Sequence, residues 1–382
     1  MKKIGLLINP IAGMGGSVGL KGTDGEKHLL ALERGASPIA EIRTEQFLSI
    51  LSHQLHSLDV QIITCKDPMG HGPVKKTGLP FEIIPIPRDQ SIGTSSEDTV
   101  RACQLIEEKG ACLLVFVGGD GTSVDVLSSG INIPVLGVPS GVKMFGGVFG
   151  LSPDASAEVV VKFLTVETPA ISEGEVMDID EDAYRENHLS ARLIGYLKVP
   201  SVPSLMQSTK ATSPSTDTEQ ENLTAIAEEI KERFSDHKKE EKDILVIAGP
   251  GTTTKRVFEH MNVDKTLLGV DVILGTEIIA KDASENQILD AISRFPDREI
   301  RILLTPLGGM GVLLGRGNQQ ISPAVLRKAG GKKSLIIIAS LSKIATLEHL
   351  HVDTRDPDLD KELKGFIRVI VDYNVEKLVK IS

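Results

Sequence analysis

The sequence predicts an α/β protein: an N-terminal lobe with a doubly wound parallel sheet, then a second lobe entered through antiparallel β structure and continued by further α/β elements, with a cleft between them. Three observations carry this. Short aliphatic runs such as Ile4 to Ile8, Cys112 to Val117 and Ile133 to Val138 recur between stretches of helical spacing, the rhythm of strands joined by crossover helices. The run Cys112 to Val117 is apolar throughout, as a strand covered on both faces should be. Aromatic residues make up only 3% of the chain and tryptophan is absent, so the core is aliphatic, which suits such a sheet.

Ile4 to Ile8 is the first strand, and glycines at 13, 15, 16, 19, 22 and 25 make a long loop after it. Phe47, Leu51, Leu55 and Leu58 fall at helical spacing, which predicts a helix over 44–58. Val60 to Thr64 and Phe81 to Ile86 are strands, and Ser95-x-x-Asp98 is a capping box that opens a helix through Lys109. Beyond the strands at 112–117 and 133–138, Ser152-Pro153 starts a helix with a serine cap and a proline in the first turn.

The texture changes at Gly174. Glu175 to Asp180 and Arg192 to Val199 alternate around a polar turn near Glu186-Asn187, an antiparallel hairpin that reads as entry into a second domain. Gln207 to Glu221 is rich in Ser, Thr, Pro and Asp and reads as an exposed loop, followed by a charged helix from Leu223 to Phe234. Strands at 243–248, 267–273, 300–304 and 335–339 then alternate with helices near 253–261, 284–295 and 323–329. Arg355-Asp356-Pro357-Asp358 reads as a capped turn before the last helix, and Gly365 to Tyr373 as a terminal strand. The expected domains are 1–170, 171–340 with its polar loop 207–221, and a C-terminal segment 341–382 free to return to the N-terminal lobe.

A net charge of −10 repels nucleic acid, and no stripe of Lys or Arg offsets it. A phosphorylated small molecule would have to be held by local donors against that field. The three cysteines, Cys65, Cys103 and Cys112, lack CxxC spacing, which argues against a disulfide framework and for a reducing compartment. No apolar run approaches the ~18 residues of a membrane helix, and Ile4 to Ile8 is too short for a signal-peptide core. A soluble, cytoplasmic protein without nucleic-acid or membrane partners is expected, as a homo-oligomer.

The most informative stretch is Val117-Gly118-Gly119-Asp120-Gly121-Thr122, where a buried strand runs into two glycines, an aspartate, a glycine and a threonine. Ligands of parallel sheets bind at the carboxyl ends of strands, and glycines there let backbone N–H groups approach a phosphate. A carboxylate in such a turn is repelled by phosphates unless it takes a proton from a hydroxyl or holds a metal ion. A tight Gly-Asp-Gly turn without a ligand is the bland alternative. Four more glycine-bearing loops follow apolar strands: Asn9-Pro10-Ile11-Ala12-Gly13, Pro139-Ser140-Gly141-Val142-Lys143-Met144, Gly249-Pro250-Gly251-Thr252-Thr253-Thr254-Lys255, and Thr305-Pro306-Leu307-Gly308-Gly309-Met310. Singly each reads as an ordinary connection; together they point to a nucleotide or polyphosphate crevice, with Lys143 and Lys255 placed to face phosphate.

With Asn9-Pro10 after the first strand and Gly118-Gly119-Asp120-Gly121-Thr122 after a buried one, the chain resembles the NAD kinase and diacylglycerol kinase superfamily. Its closer likeness is to the ATP-NAD kinase-like (AcoX-related) branch, through the 137–144 and 249–253 loops, Thr305 to Gly309, and Gly315-Arg316-Gly317-Asn318-Gln319-Gln320-Ile321-Ser322-Pro323. The resemblance implies phosphoryl transfer from ATP or inorganic polyphosphate to the 2′-hydroxyl of the adenosine ribose of NAD, with catalysis in a cleft between two lobes. Asp120 is then the catalytic carboxylate, and Mg²⁺ is the expected cofactor, carried largely by substrate phosphates. Asn9, Pro10, Gly13, Gly118, Gly119, Gly121, Thr122, Ser140, Gly141, Lys143, Gly249, Gly251, Thr252, Thr253, Thr254, Gly308 and Gly309 are the candidate nucleotide- and phosphate-binding residues.

The alternatives are a kinase of the same superfamily acting on a lipid or nucleoside hydroxyl, and a nucleotide-binding sensor without turnover. His349-Leu350-His351-Val352-Asp353 has metal-ligand spacing but lacks a third His or Cys nearby, so it reads as ordinary surface. Gly-x-Ser-x-Gly, His-Glu-x-x-His and P-loop patterns are missing, which leaves hydrolase and P-loop readings without support.

Overall fold

The computed structural model describes residues 1–14, 33, 39–55, 58–86, 94–141, 144–179, 191–202, 205–207, 217–238, 243–307 and 311–382. Its contacts divide the chain into two compact units, the first ending at Thr209 and the second running from Lys210 to Ser382.

The first unit alternates strand and helix: β1 (Lys2–Ile8), α1 (Ala40–Leu55), β2 (Val60–Cys65), α2 (His71–Lys75), β3 (Phe81–Ile84), α3 (Ser96–Glu108), β4 (Leu113–Gly118), α4 (Asp120–Ser128), β5 (Val135–Pro139) and α5 (Pro153–Thr165), then the hairpin β6 (Ile171–Ile179) and β7 (Ala191–Pro200). The sheet order is β3-β2-β1-β4-β5, with every neighbouring pair parallel. Every residue of β4 is buried, as its unbroken apolar run requires. The Ser95–Asp98 capping box opens α3, and Ser152 caps α5 ahead of Pro153. Helix α1 begins earlier than its leucine spacing suggests, at Ala40.

The hairpin belongs to this unit and does not open the second. Its strands pack on α4 and β5, and Val176, Leu197 and Val199 join the same core as β1 and β4. Alternation announced a hairpin, but its apolar side could have covered either unit, so the expected boundary at 170/171 gives way to one at 209/210.

The second unit contains α6 (Asp217–Lys238), β8 (Leu245–Ala248), α7 (Thr252–His260), β9 (Asp271–Leu274), β10 (Glu277–Ala280), α8 (Glu285–Arg294), β11 (Ile300–Leu304), β12 (Val312–Leu314), α9 (Pro323–Ala329), β13 (Leu335–Ile338), α10 (Leu341–Ala345), β14 (His351–Val352), α11 (Pro357–Leu363), β15 (Gly365–Asp372) and β16 (Val375–Ile381). Its main sheet runs β10-β9-β8-β11-β13-β15-β16, with β8, β11, β13 and β15 parallel and the outer strands antiparallel. It is covered by two apolar clusters: α8, α9 and α11 contribute to one, α6 and α7 to the other. The α/β reading of 243–340 is therefore what the chain adopts.

Three expectations need correction here. The 341–382 segment, expected to be free to return to the N-terminal lobe, is part of the second unit: β15 pairs with β13, and β16 closes the second sheet. The expected strand at 267–273 is shorter, because residues 264–269 form a loop around a buried lysine and only Asp271–Leu274 extends. The polar stretch 207–221 is not one exposed loop. Residues 217–221 are the first turn and more of α6, Gln207 is buried, and 208–216 lie outside the described residues.

All three cysteines are free, and among the described residues no helix is long and apolar enough to cross a membrane.

Candidate functional site

In the first unit β1 and β4 are neighbours, yet the chain leaves β1 toward β2 and β4 toward β5, in opposite directions. Loops that part in this way leave a crevice at the carboxyl ends of the strands. Asn9 stands at one lip and Gly118-Gly119-Asp120 at the other. The Asn9 Nδ2 donates to Thr122 Oγ1 at 2.9 Å and its backbone N–H to the Val117 carbonyl at 3.0 Å, so Asn9 ties the two lips together. Thr122 is buried, and Gly121 is exposed on the first turn of α4.

The loop after β5 closes the third side. The backbone N–H groups of Ser140 and Gly141 both donate to the Gly118 carbonyl, at 3.0 and 3.2 Å. Gly13 meets the same loop with φ +81°, and a Cβ there would stand 1.7 Å from the Ser140 carbonyl oxygen. Only glycine fits such a position. Likewise a Cβ at Gly141 would come within 2.9 Å of the Gly119 Cα. Asn9, Pro10, Gly13, Gly118, Gly119, Asp120, Gly121, Thr122, Ser140 and Gly141 thus come from three loops at one sheet edge.

Asp120 is the first residue of α4 and is buried. Its Oδ2 accepts the Phe145 N–H at 2.7 Å and its Oδ1 the Gly146 N–H at 3.0 Å. The carboxylate therefore anchors the strap that runs from Met144 to Gly147. Gln207 holds the same strap, with its Nε2 donating to the Met144 carbonyl at 2.8 Å and its backbone N–H to the Phe149 carbonyl at 2.7 Å.

The second unit has a comparable edge of its own. β8 and β11 are parallel neighbours, and the chain leaves β8 toward β9 and β11 toward β13. Gly249, Pro250 and Gly251 follow β8, with Thr252, Thr253 and Thr254 opening α7. Thr254 Oγ1 lies 2.8 and 2.9 Å from the Gly249 and Gly251 carbonyls, so this hydroxyl braces the turn. Thr253 is buried, whereas Thr252 is exposed. Lys255 points along its helix to Glu259 at 3.9 Å. A cation reaches this edge from α10 instead: the Nζ of Lys343 donates to Thr305 Oγ1 at 3.2 Å. Nearby, Lys265 is fully buried, donating to the carbonyls of Thr266 and Gly269, and burial pushes its ammonium down to about 8.

Lys143, Gly308 and Gly309 lie outside the described residues. Of the histidine pair, His351 Nδ1 lies 3.0 Å from Ser382 Oγ, and burial lowers its pKa. Among the described residues no three His, Cys, Asp or Glu side chains converge on a metal position.

Sequence reasoning passed over Arg43, Gln207 and Lys343. Arg43 carried a signal: it lies four residues before Phe47, on the buried stripe of α1, where a charge is out of place unless it has a task. Gln207 and Lys343 carried none: Gln207 opens a polar stretch, and Lys343 is a single lysine near a helix start.

Residues 4–168 match the ATP-NAD kinase N-terminal domain, and residues 241–381 match the ATP-NAD kinase C-terminal domain. No curated protein matches the chain, and no solved structure does.

Proposed function

This chain belongs to the ATP-NAD kinase family, and from that premise we propose that it transfers a phosphoryl group from ATP or inorganic polyphosphate to the 2′-hydroxyl of the adenosine ribose of NAD, giving NADP. The observation that carries the proposal is Asp120, a carboxylate buried at the mouth of a glycine-walled crevice that opens onto the N-terminus of α4. An attacking hydroxyl must lose its proton, and a carboxylate within hydrogen-bond reach takes it. Each Asp120 oxygen accepts one backbone N–H, and a carboxylate oxygen has the capacity to accept from more than one donor. The backbone N–H groups at the start of α4 face where phosphoryl charge sits, so catalysis there is mainly positioning and charge neutralisation.

Mg²⁺ arriving on the donor's phosphates needs few protein ligands, and the Asp120 carboxylate would be this chain's contact to it. When bound there, Mg²⁺ would supply positive charge to the phosphoryl oxygens.

The test is a product screen by mass spectrometry. Purified protein with Mg²⁺, NAD and either ATP or polyphosphate should yield NADP. A phosphorylated lipid or nucleoside in place of NADP would refute NAD as acceptor while retaining the kinase, and no phosphorylated product from any acceptor would remove the kinase reading.

A further inference from the structure

We infer that the second unit carries a binding site for a small amphipathic anion, a carboxylate or phosphate head on an aliphatic tail, where β13 and β15 begin. This is the end of the sheet opposite the β8/β11 edge, and the inference does not depend on the kinase reading.

The site arises where the helical cover of the sheet gives out. On one face α6 and α7 bury Ile338 of β13 and Ile370 of β15 in a single apolar cluster. Toward the strand starts on the same face, Ile336 is only partly buried. The β15–β16 register sets Phe366 opposite Lys380, Arg368 opposite Leu378 and Ile370 opposite Glu376, so these six share that face. Ile370 is buried, whereas Phe366 and Leu378 are 63% and 65% exposed. Between the covered and the bare part lies a cavity of about 510 Å³. Pockets that hold small molecules span roughly 300–1,000 Å³.

Its lining combines two chemistries. Phe234, Ile244, Ile336 and Ile370 supply apolar surface, and Arg233, Arg301, Lys332 and Arg368 supply positive charge, with Glu376 the one carboxylate among the described lining residues. Two of the cations are already neutralised. Arg233 bonds Glu229 and Glu376 at 2.7 and 2.8 Å, and Arg301 pairs with Glu299 and donates to the Lys333 carbonyl at 2.7 Å. The other two are not. Lys332 Nζ donates to the Lys364 carbonyl at 2.7 Å and has no carboxylate partner among the described residues. Arg368 reaches only the shared Glu376, at 3.4 Å, with its side chain 79% exposed. On a chain of net charge −10 this is a local reversal of sign. An inorganic anion would leave the apolar surface wet, and a neutral apolar molecule would take water from the cations and give nothing back. A ligand with an anionic head and an aliphatic tail satisfies both.

The experiment is calorimetric titration of the full chain with sodium octanoate and with octyl phosphate, each below its micelle-forming concentration. Acetate, inorganic phosphate and 1-octanol serve as partial ligands. Both octyl anions should bind, the tighter one identifying the preferred head, and every partial ligand should bind at least about tenfold more weakly, since each lacks the tail or the charge. Arg368→Glu should weaken both octyl anions about tenfold or more, by loss of a charge-assisted contact, with Tm unchanged because the side chain is so exposed. Arg294→Glu makes the same change of charge on α8, over the other face of the sheet, and should bind as wild type does. Acetate or phosphate binding as well as the octyl anions would show that no tail is held, and equal binding of 1-octanol would show that the cations take no part. Wild-type affinity in Arg368→Glu, an equal loss in Arg294→Glu, or no binding of either octyl anion overturns the site as well.

Discussion

The carboxyl edges of the two sheets share a plan and differ in what fills it. Each edge lies where neighbouring parallel strands send the chain in opposite directions, at β1/β4 in the first unit and β8/β11 in the second. In the first, backbone meets backbone, Gly13 on Ser140 and Gly119 on Gly141, around one buried carboxylate. In the second, hydroxyls and an ammonium take over, with Thr254 bracing the turn and Lys343 on Thr305. The second edge has a buried carboxylate as well, Asp271 beside Ala248 at the end of β8, but its oxygens accept the Thr266 N–H and hydroxyl and the Asp282 N–H. The shared topology makes a place for a ligand, and the side chains decide whether chemistry happens there.

The largest expected effect tests that contrast at Asp120. Asp120→Asn should lower turnover by about 10²–10⁴-fold, the usual range for losing a general base. The strap adds a second consequence. An amide can accept only one of the two N–H groups from Phe145 and Gly146, so stability should also fall by about 1–3 kcal/mol. Rates measured at a temperature where the variant is fully folded separate the two; near-normal turnover there would make Asp120 a strap anchor alone, and the two edges would no longer differ in kind.

Next comes Gly13→Ala. With φ +81° and the Ser140 carbonyl in the way, the backbone strain alone costs about 1–3 kcal/mol, and the clash adds to it. Urea unfolding should show the midpoint moving down, and an unchanged midpoint would mean the interlocking of backbones is not what shapes this edge.

Lys343→Met should act on holding rather than reacting. The KM for one substrate should rise about tenfold, the loss of roughly one charge-assisted contact, with kcat within about twofold. A kcat loss as large as that of Asp120→Asn would erase the distinction between the edges.

A further effect is a pH dependence that arises in the second unit. Lys265 has its folded pKa lowered from 10.5 to about 8 by burial. Between these values the unfolded chain holds a proton that the folded one has lost, so stability rises with pH across that window and is lost again as pH falls through about 8. The neutral amine still donates to both of its carbonyls. Subtracting the Lys265→Met melting curve from wild type between pH 7 and 10 isolates this contribution; a flat difference would show that Lys265 titrates as an exposed lysine does.

By itself the sequence determined the features that local pattern and the hydrophobic effect control. Unbroken aliphatic runs gave parallel buried strands, Ser95 and Ser152 gave helix starts, and glycine after each strand gave the loops that line a sheet edge. Asp120 stood out as a candidate because it lies between glycines at a strand end, whereas its two bonds to the 144–147 strap left no local mark. Only the tertiary structure decided the rest. The hairpin 171–200 could have covered either unit, and long-range packing on α4 assigned it. Gln207 read as the start of an exposed loop, but its amide reaches Met144, 63 positions away. Lys343 reached Thr305 because β11 and β13 are adjacent, and that adjacency is a property of strand order. Periodicity and composition report which faces of an element avoid water; which loops end up side by side depends on contacts between residues far apart in the chain, and these leave no local mark.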